Sequence, residues 1–168
     1  MKKTIALLAV LLAALSTPAV EVKESLWTQN EFSLGLFSTF STLQEHIGDS
    51  WSENGDYGVG VEANWFFHRN AGLSFDSVIA DVSDIQGECF DHSSLSLVVR
   101  FPYKRVSPYV LAGGGRDWER SIWDTHVGVG AEVAVTESWS WVSETRWTFA
   151  TQKQDDFLQF RTGLRFKF

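Results

Sequence analysis

The sequence predicts an all-β protein: eight antiparallel strands closed into an up-and-down transmembrane β-barrel. Three observations lead there. Apolar residues recur in steps of two along most of the chain, which is the period of a strand and not of a helix. After residue 15 no apolar run approaches the about twenty residues that a spanning helix needs, so if the chain crosses a membrane it does so with strands. The predicted connections also alternate between short and long, the pattern of a barrel with turns on one side of a bilayer and loops on the other.

The last stretch, Phe157 to Phe168, shows the period most plainly. One face carries Leu158, Phe160, Thr162, Leu164, Phe166 and Phe168; the other carries Phe157, Gln159, Arg161, Gly163, Arg165 and Lys167. Twelve residues at about 3.3 Å each span roughly 40 Å. Tilted by about 40°, that covers the ~25 Å apolar band of a membrane barrel.

The other strands follow in order. The first is predicted over 31–40, with Phe32, Leu34, Leu36 and Phe40 on one face. The second, 56–67, alternates Tyr57, Val59, Val61, Ala63, Trp65 and Phe67 with Asp56, Gly58, Gly60, Glu62, Asn64 and Phe66. A tight turn at 68–70 leads to the third, 71–80, with Leu73, Phe75 and Ile79 against Gly72, Ser74 and Asp76. The fourth, 94–101, sets Leu95, Leu97, Val99 and Phe101 against Ser96 and Arg100. The fifth, 108–116, holds Gly113-Gly114-Gly115, and its faces stay unassigned. The sixth, 125–135, sets five apolar residues from Val127 to Val135 against His126, Gly128, Gly130, Glu132 and Ala134. The seventh, 140–149, sets Trp141, Trp147 and Phe149 against Glu144 and Arg146. Connections 68–70, 102–107 and 136–139 are short, whereas 41–55, 81–93, 117–124 and 150–156 are mostly longer. Trp65, Phe67, Phe101, Trp139, Trp141, Phe166 and Phe168 then gather at the short-turn rim. Phe40, Tyr57, Trp147 and Phe149 gather at the other, as the two aromatic girdles of a barrel do.

The chain opens with a different kind of segment. Met1-Lys2-Lys3 precedes eleven apolar residues, Ile5 to Leu15, and small residues stand at Thr17 and Ala19. That is the pattern of a secretory signal peptide over 1–19, cut before Val20. The remaining ~149 residues, 20–168, suit one domain. Without Lys2 and Lys3 there are 12 basic residues against 21 acidic, a net charge of −9, which argues against nucleic acid as a partner. Cys89 is the single cysteine, so no intramolecular disulfide is expected.

With these features in place, the chain resembles the small eight-stranded outer-membrane barrels of Gram-negative bacteria, typified by the OmpA transmembrane domain and its porin-like relatives. The terminal Phe168 after Phe166, Leu164 and Phe160 resembles the strand that the barrel-assembly machinery reads in that group. SPYVLAGGG (107–115) and HVGVGAEVAVTESWSWVSETRW (126–147) are similar to its Pro-Tyr/Gly-rich strand, its Gly-x-Gly-x-Glu strand and its Trp-rich turn. The resemblance implies export to the outer membrane, contact with its lipid and lipopolysaccharide, and passage through the assembly machinery. The resemblance does not extend to a peptidoglycan-binding domain after Phe168, so no wall-anchoring role is expected.

The inward face is expected to hold an ionic network of Glu62, Asp76, Arg100, Glu132, Glu144, Arg146, Arg161 and Arg165, with Lys167 nearby. An eight-stranded barrel has room for its own side chains or one small ligand, and buried charges must be paired. The network therefore predicts a plugged core; a polar conduit is the alternative. Hairpin geometry puts Glu62 opposite Asp76. Centring the next hairpin between Glu137 and Ser138 puts Glu132 almost opposite Glu144. A Glu132–Glu144–Arg161 cluster with Arg146 beside it follows.

No catalytic residue, cofactor or metal is assigned. His46, His92 and His126 fall near the outer end. A His-x-Ser pattern at His92 and Ser94 can be set against outer-membrane lipid A deacylases, but its place at a loop end speaks against it. Asp117, Glu119 and Asp124 with His126 show no specific ligand spacing. A soluble periplasmic barrel, the third reading, would turn the Val/Leu/Phe face inward; Phe168, the two girdles and the glycines of the polar face argue against it. The expected role is structural or surface-interactive. Loops 41–55 and 81–93, acidic and bearing Trp51 and Phe90, are the expected contact region for an extracellular ligand or for cation-bridged lipopolysaccharide.

Overall fold

The computed structural model describes residues 26–43, 55–80, 92–118, 121–150 and 157–168. Eight strands form one closed barrel: β1 (Glu31–Leu43), β2 (Gly55–His68), β3 (Ala71–Ala80), β4 (His92–Arg100), β5 (Val106–Asp117), β6 (Ile122–Ala134), β7 (Trp139–Ala150) and β8 (Phe157–Lys167). Each pairs antiparallel with its sequence neighbours, and β8 returns to β1 from Ser33↔Lys167 to Leu43↔Phe157, so no sheet edge remains open. Most strands run one to three residues beyond their predicted ends. Phe101 and Val135 instead fall in the connections.

The connections sort by end. Residues 69–70, 101–105 and 135–138 join strands at the end that also holds the start of β1 and the finish of β8. The tight turn after β2 works through a register shift between Trp65 and His68, with Asn70 N–H donating to His68 Nδ1 at 3.2 Å. In the 101–105 connection Lys104 takes a positive φ of 52° between the paired residues Tyr103 and Val106. Loops 44–54, 81–91 and 151–156, with Cys89, lie outside the described residues, and so do the predicted signal segment and cleavage site.

The pleat decides which side is wet. Leu36 is 69% exposed and Val129 60%, while Asp76 and Ser140 are wholly buried. The barrel is thus apolar outside and polar within, the reverse of a soluble protein and the arrangement a lipid surround selects. A barrel with the Val/Leu/Phe face turned inward is excluded. Aromatic rings crowd the outer surface at both rims. Trp139, Phe166, Phe168 and Phe32 contact one another at the short-turn end, and Phe40–Tyr57 and Trp147–Phe149 pair at the other. Trp118 and Trp123 also face outward there, flanking Arg116 at 4.7 and 5.3 Å.

Candidate functional site

The lumen is where chemistry-bearing side chains converge, because every strand turns its polar positions inward. The faces of β5, unassigned from sequence, resolve as Ser107, Tyr109, Leu111, Gly113 and Gly115 inward. Phe66, Val98, Tyr109, Leu111 and Val142 form a small apolar cluster inside the barrel. Around it the charged residues divide into groups along the axis.

At the short-turn end, Arg100 on β4 donates to Glu31 on β1 at 2.7 Å and lies over the Phe66 ring at 3.7 Å. Lys167 joins Glu31 at 3.9 Å to Glu132 at 2.9 Å. Arg165 then bridges Glu132 at 2.6 Å and Glu62 at 2.7 Å, and Ser140 donates to the second oxygen of Glu132 at 2.6 Å. Trp27, 2% exposed, closes this mouth: its indole N–H donates to the Lys104 carbonyl, and the Lys167 ammonium sits 3.5 Å from its ring centre.

Deeper in the lumen, Asp76 on β3 receives Arg146 from β7 at 3.1 Å, Arg161 from β8 at 2.6 Å and the Ser94 hydroxyl at 2.8 Å. Glu144 accepts from Arg146 at 2.9 Å and from the Tyr109 hydroxyl at 3.0 Å. Gly130 makes room for that tyrosine, since a Cβ there would sit 2.6 Å from its oxygen. Arg161 reaches Glu144 only at 4.0 Å and stacks on Phe37 at 4.5 Å.

Glu62 stands directly across from Asp76 in the β2–β3 register. The expected Glu132–Glu144–Arg161 cluster forms only in part: Glu144 lies opposite Arg161 in the β7–β8 register with Arg146 beside it, but Glu132 is not among them. Glu132 pairs with Val142 and Glu144 with Gly130, so the two carboxylates are offset along the strands. The reason is the turn: the ladder closes with Ala134↔Ser140, centring the hairpin on Glu137 instead of half a residue later. Each carboxylate meets a different cation, and the like-charge contact is avoided. Sequence reading missed Glu31, Tyr109 and Trp27. Glu31 stands at an inward position of β1, so its parity could have revealed it; Tyr109 was hidden by the glycine run, and Trp27 lies before the first strand.

A further group lines the long-connection end. His92, expected at a loop end, and Asp124, expected in a loop, both lie in strands and point inward. His92 Nε2 meets Asp124 Oδ2 at 2.8 Å, and His126 Nε2 meets Ser96 Oγ at 2.7 Å. Ser94 is directed to Asp76 and not to His92, so the His-x-Ser pair is not a nucleophile and its base. Ser96 has the histidine, but it is 1% exposed, and acyl transfer needs a carbonyl within about 3.5 Å of the attacking oxygen.

The outward positions of β8 carry the other predicted residues. Phe160, Leu164, Phe166 and Phe168 alternate on the lipid-facing side, and Phe168 N–H donates to the Phe32 carbonyl at 2.9 Å.

No protein-family model matches this sequence, and no curated protein matches it. Solved structures do. Neisserial surface protein A is similar at a TM-score of 0.62 with 15% identity, over 82% of this chain and 97% of that one. The N-terminal β-barrel domain of Pseudomonas aeruginosa OprF reaches 0.60 with 15% identity, over 83% and 98%. A de novo designed transmembrane β-barrel reaches 0.61 with 14% identity, over 84% and 98%. These likenesses show the fold, a closed eight-stranded barrel of the transmembrane type. That a designed barrel scores beside natural ones shows how little the fold says of activity.

Proposed function

We propose that this chain is an integral outer-membrane β-barrel, plugged by its own ion-paired side chains, with a structural or surface-contact role and no catalytic one. The observation that carries the reading is the inversion of the barrel: apolar residues outside, and Glu62, Asp76, Arg100, Glu132, Glu144, Arg146, Arg161 and Arg165 paired within. An apolar exterior needs lipid, and salt bridges at several heights across the lumen favour a plug over a conduit. Residues 1–19 supply the export signal, and Phe160, Leu164, Phe166 and Phe168 are the positions offered to the assembly machinery. The short-turn end faces the periplasm.

The contact role belongs to loops 41–55 and 81–93, most of which lies outside the described residues. The support for it is the rigid scaffold beneath them and their acidic, Trp- and Phe-bearing sequence. A cationic ligand or cation-bridged lipopolysaccharide fits that chemistry. A lipid A-modifying activity finds no support, since Ser94 and His92 take different partners.

Membrane fractionation of native cells, with boiled and unboiled gel lanes, tests the location: the protein should sediment with outer membranes and shift on boiling. Planar-bilayer recording tests the plug, and a steady large conductance would refute it. Replacing 43–54 by a short Gly/Ser linker should leave the barrel folded and abolish surface contact. A variant equal to wild type in adhesion, serum survival and envelope permeability would leave only the structural role.

A further inference from the structure

Among the described strand residues, Arg116 is the arginine that the pleat turns outward, toward lipid. The indole rings of Trp118 and Trp123 flank its guanidinium at 4.7 and 5.3 Å. Its Nε is buried without an acceptor among the described residues. Asp117 and Asp124, the described carboxylates closest to it in sequence, take inward positions, and Asp124 is engaged by His92 at 2.8 Å. The two terminal amino groups of Arg116 therefore carry a charge that no described carboxylate offsets.

The surroundings brace this group and open a path beneath it. Ser93 stands across from Arg116 on β4, and Trp123 across from it on β6. Trp118 donates its indole N–H to Ser93 Oγ at 3.1 Å, Ser93 and Ser77 join hydroxyls at 2.8 Å, and Ser77 donates to the His92 carbonyl at 3.2 Å. That chain spends both hydroxyl protons and fixes the Trp118 ring. Below Arg116 the outward positions of β5 are Gly114 and Ala112, set low between Leu95 and Leu97 on one side and Val127 on the other. A groove of about 360 Å³ runs on from there, lined by Leu97, Val99, Val110, Ala112, Val127 and Val129. We propose that Arg116 takes a phosphate of lipid A from the outer leaflet, with one acyl chain of that lipid lying in the groove along β5.

The chemistry selects this occupant. An outward cation at the aromatic girdle meets the headgroup layer, and indoles settle at that same depth. A guanidinium offers a planar fork of N–H donors that matches phosphate oxygens in pairs. Held between two rings before any ligand arrives, it gives up little freedom on binding. The groove below is apolar and lies in line with the fork on one strand, so headgroup and chain of a single lipid can be gripped together. The assignment rests on the reading of this chain as an outer-membrane barrel with its long connections outward, and it names the lipid contact that this reading leaves general. It needs no bridging cation at Arg116.

The test uses the whole barrel, refolded in a zwitterionic detergent with a chelator present, and native mass spectrometry to count retained lipid. Diphosphoryl lipid A should be kept as one copy. Its dephosphorylated form and phosphatidylglycerol should be kept far less, and inorganic phosphate should not displace it. Arg116→Gln should weaken retention at least ~10-fold, as expected for losing a hydrogen bond to a charged group. Arg116→Lys, which keeps the charge but not the fork, should fall between. Ala112→Phe blocks the groove with Arg116 intact and should also weaken retention, whereas Arg105→Gln at the opposite rim should not. Heat-modifiable gel mobility shows that each variant is folded; if Arg116→Gln is not, Ala112→Phe decides. The proposal is overturned if the wild-type barrel keeps no lipid A, if phosphatidylglycerol or the dephosphorylated form matches it, or if the folded variants retain it as wild type does. Any of these results from a protein that sediments with outer membranes removes the site and leaves the barrel reading intact; a protein absent from outer membranes removes both.

Discussion

Replacing Asp76 by alanine removes the carboxylate on which the middle of the lumen converges. Asp76 is wholly buried and receives Arg146, Arg161 and Ser94. The substitution leaves two guanidinium groups in a low-dielectric interior. Glu144 retains Arg146 at 2.9 Å but reaches Arg161 only at 4.0 Å, so one cation is stranded and the other is half-compensated. Breaking a buried pair costs about 3–5 kcal/mol, and about 4 kcal/mol is roughly a thousandfold in the folding equilibrium. Asp76→Asn, which keeps the shape and one acceptor but loses the charge, should fall between wild type and alanine. The double change Asp76→Leu with Arg161→Met removes the carboxylate together with the cation it would strand, leaves Arg146 on Glu144, and should recover most of the loss, because apolar replacement of a whole buried pair is often neutral. Reversible urea unfolding in lipid vesicles, followed by the heat-modifiable gel band, measures all three. A loss below about 1 kcal/mol for Asp76→Ala would mean that water screens the lumen, and the plugged core would have to be abandoned.

Four further outcomes are expected. Glu144→Ala should destabilise less than Asp76→Ala in the same urea series, since Arg146 and Arg161 both keep Asp76; an equal or larger loss would show that the groups are ranked wrongly. Trp27→Ala uncovers Arg100 and Lys167 at the short-turn mouth and should raise the weak current noise in bilayer recordings without opening a steady pore; an unchanged trace would mean the indole is not the stopper. Val129→Arg, in the middle of the outer face of β6, should cost about 2–4 kcal/mol in lipid and nothing comparable in the charged lumen; a neutral result would argue that this face is not in the bilayer. Phe168→Asp should lower the amount assembled in the outer membrane without lowering synthesis, because it replaces the ring that packs on Phe32 of β1 and on Phe166 with a charge on the outer face; normal membrane levels would remove the residue from the assembly signal.

Much of this architecture could be read directly from residue parity. A period of two on β2, β6 and β8 dictates which side of the pleat each side chain takes, and closure of the barrel makes one side the lumen. Glu62 and Asp76 fall opposite each other through the register shift between Trp65 and His68; the His68↔Ala71 pairing at the turn, continued without it, would have put Glu62 across from Ser77. The β6–β7 hairpin failed because half a residue in the turn centre moves each carboxylate to a new partner. Strand ends were harder. His92 and Asp124 lie where alternation gives out into polar sequence, so they read as loop until the ladder shows them paired with Asp117 and Gly115. Contacts across the lumen, such as Arg146 to Asp76, depend on how far a long side chain reaches over a closed sheet, and no local pattern encodes that.

The salt bridge from Arg146 to Asp76 joins β7 to β3, strands on opposite walls of an eight-stranded ring, and Arg100 to Glu31 and Arg165 to Glu62 run as chords across other sectors. Mechanically these are spokes. A hydrogen-bonded cylinder alone resists stretching along its strands but flattens easily when the surrounding bilayer presses on it from one side. Spokes at several heights hold the cross-section round, so the long loops rise from anchor points whose spacing does not change with lateral pressure. A ligand gripped by two of those loops would meet the same geometry in a thin, fluid membrane as in a thick, ordered one.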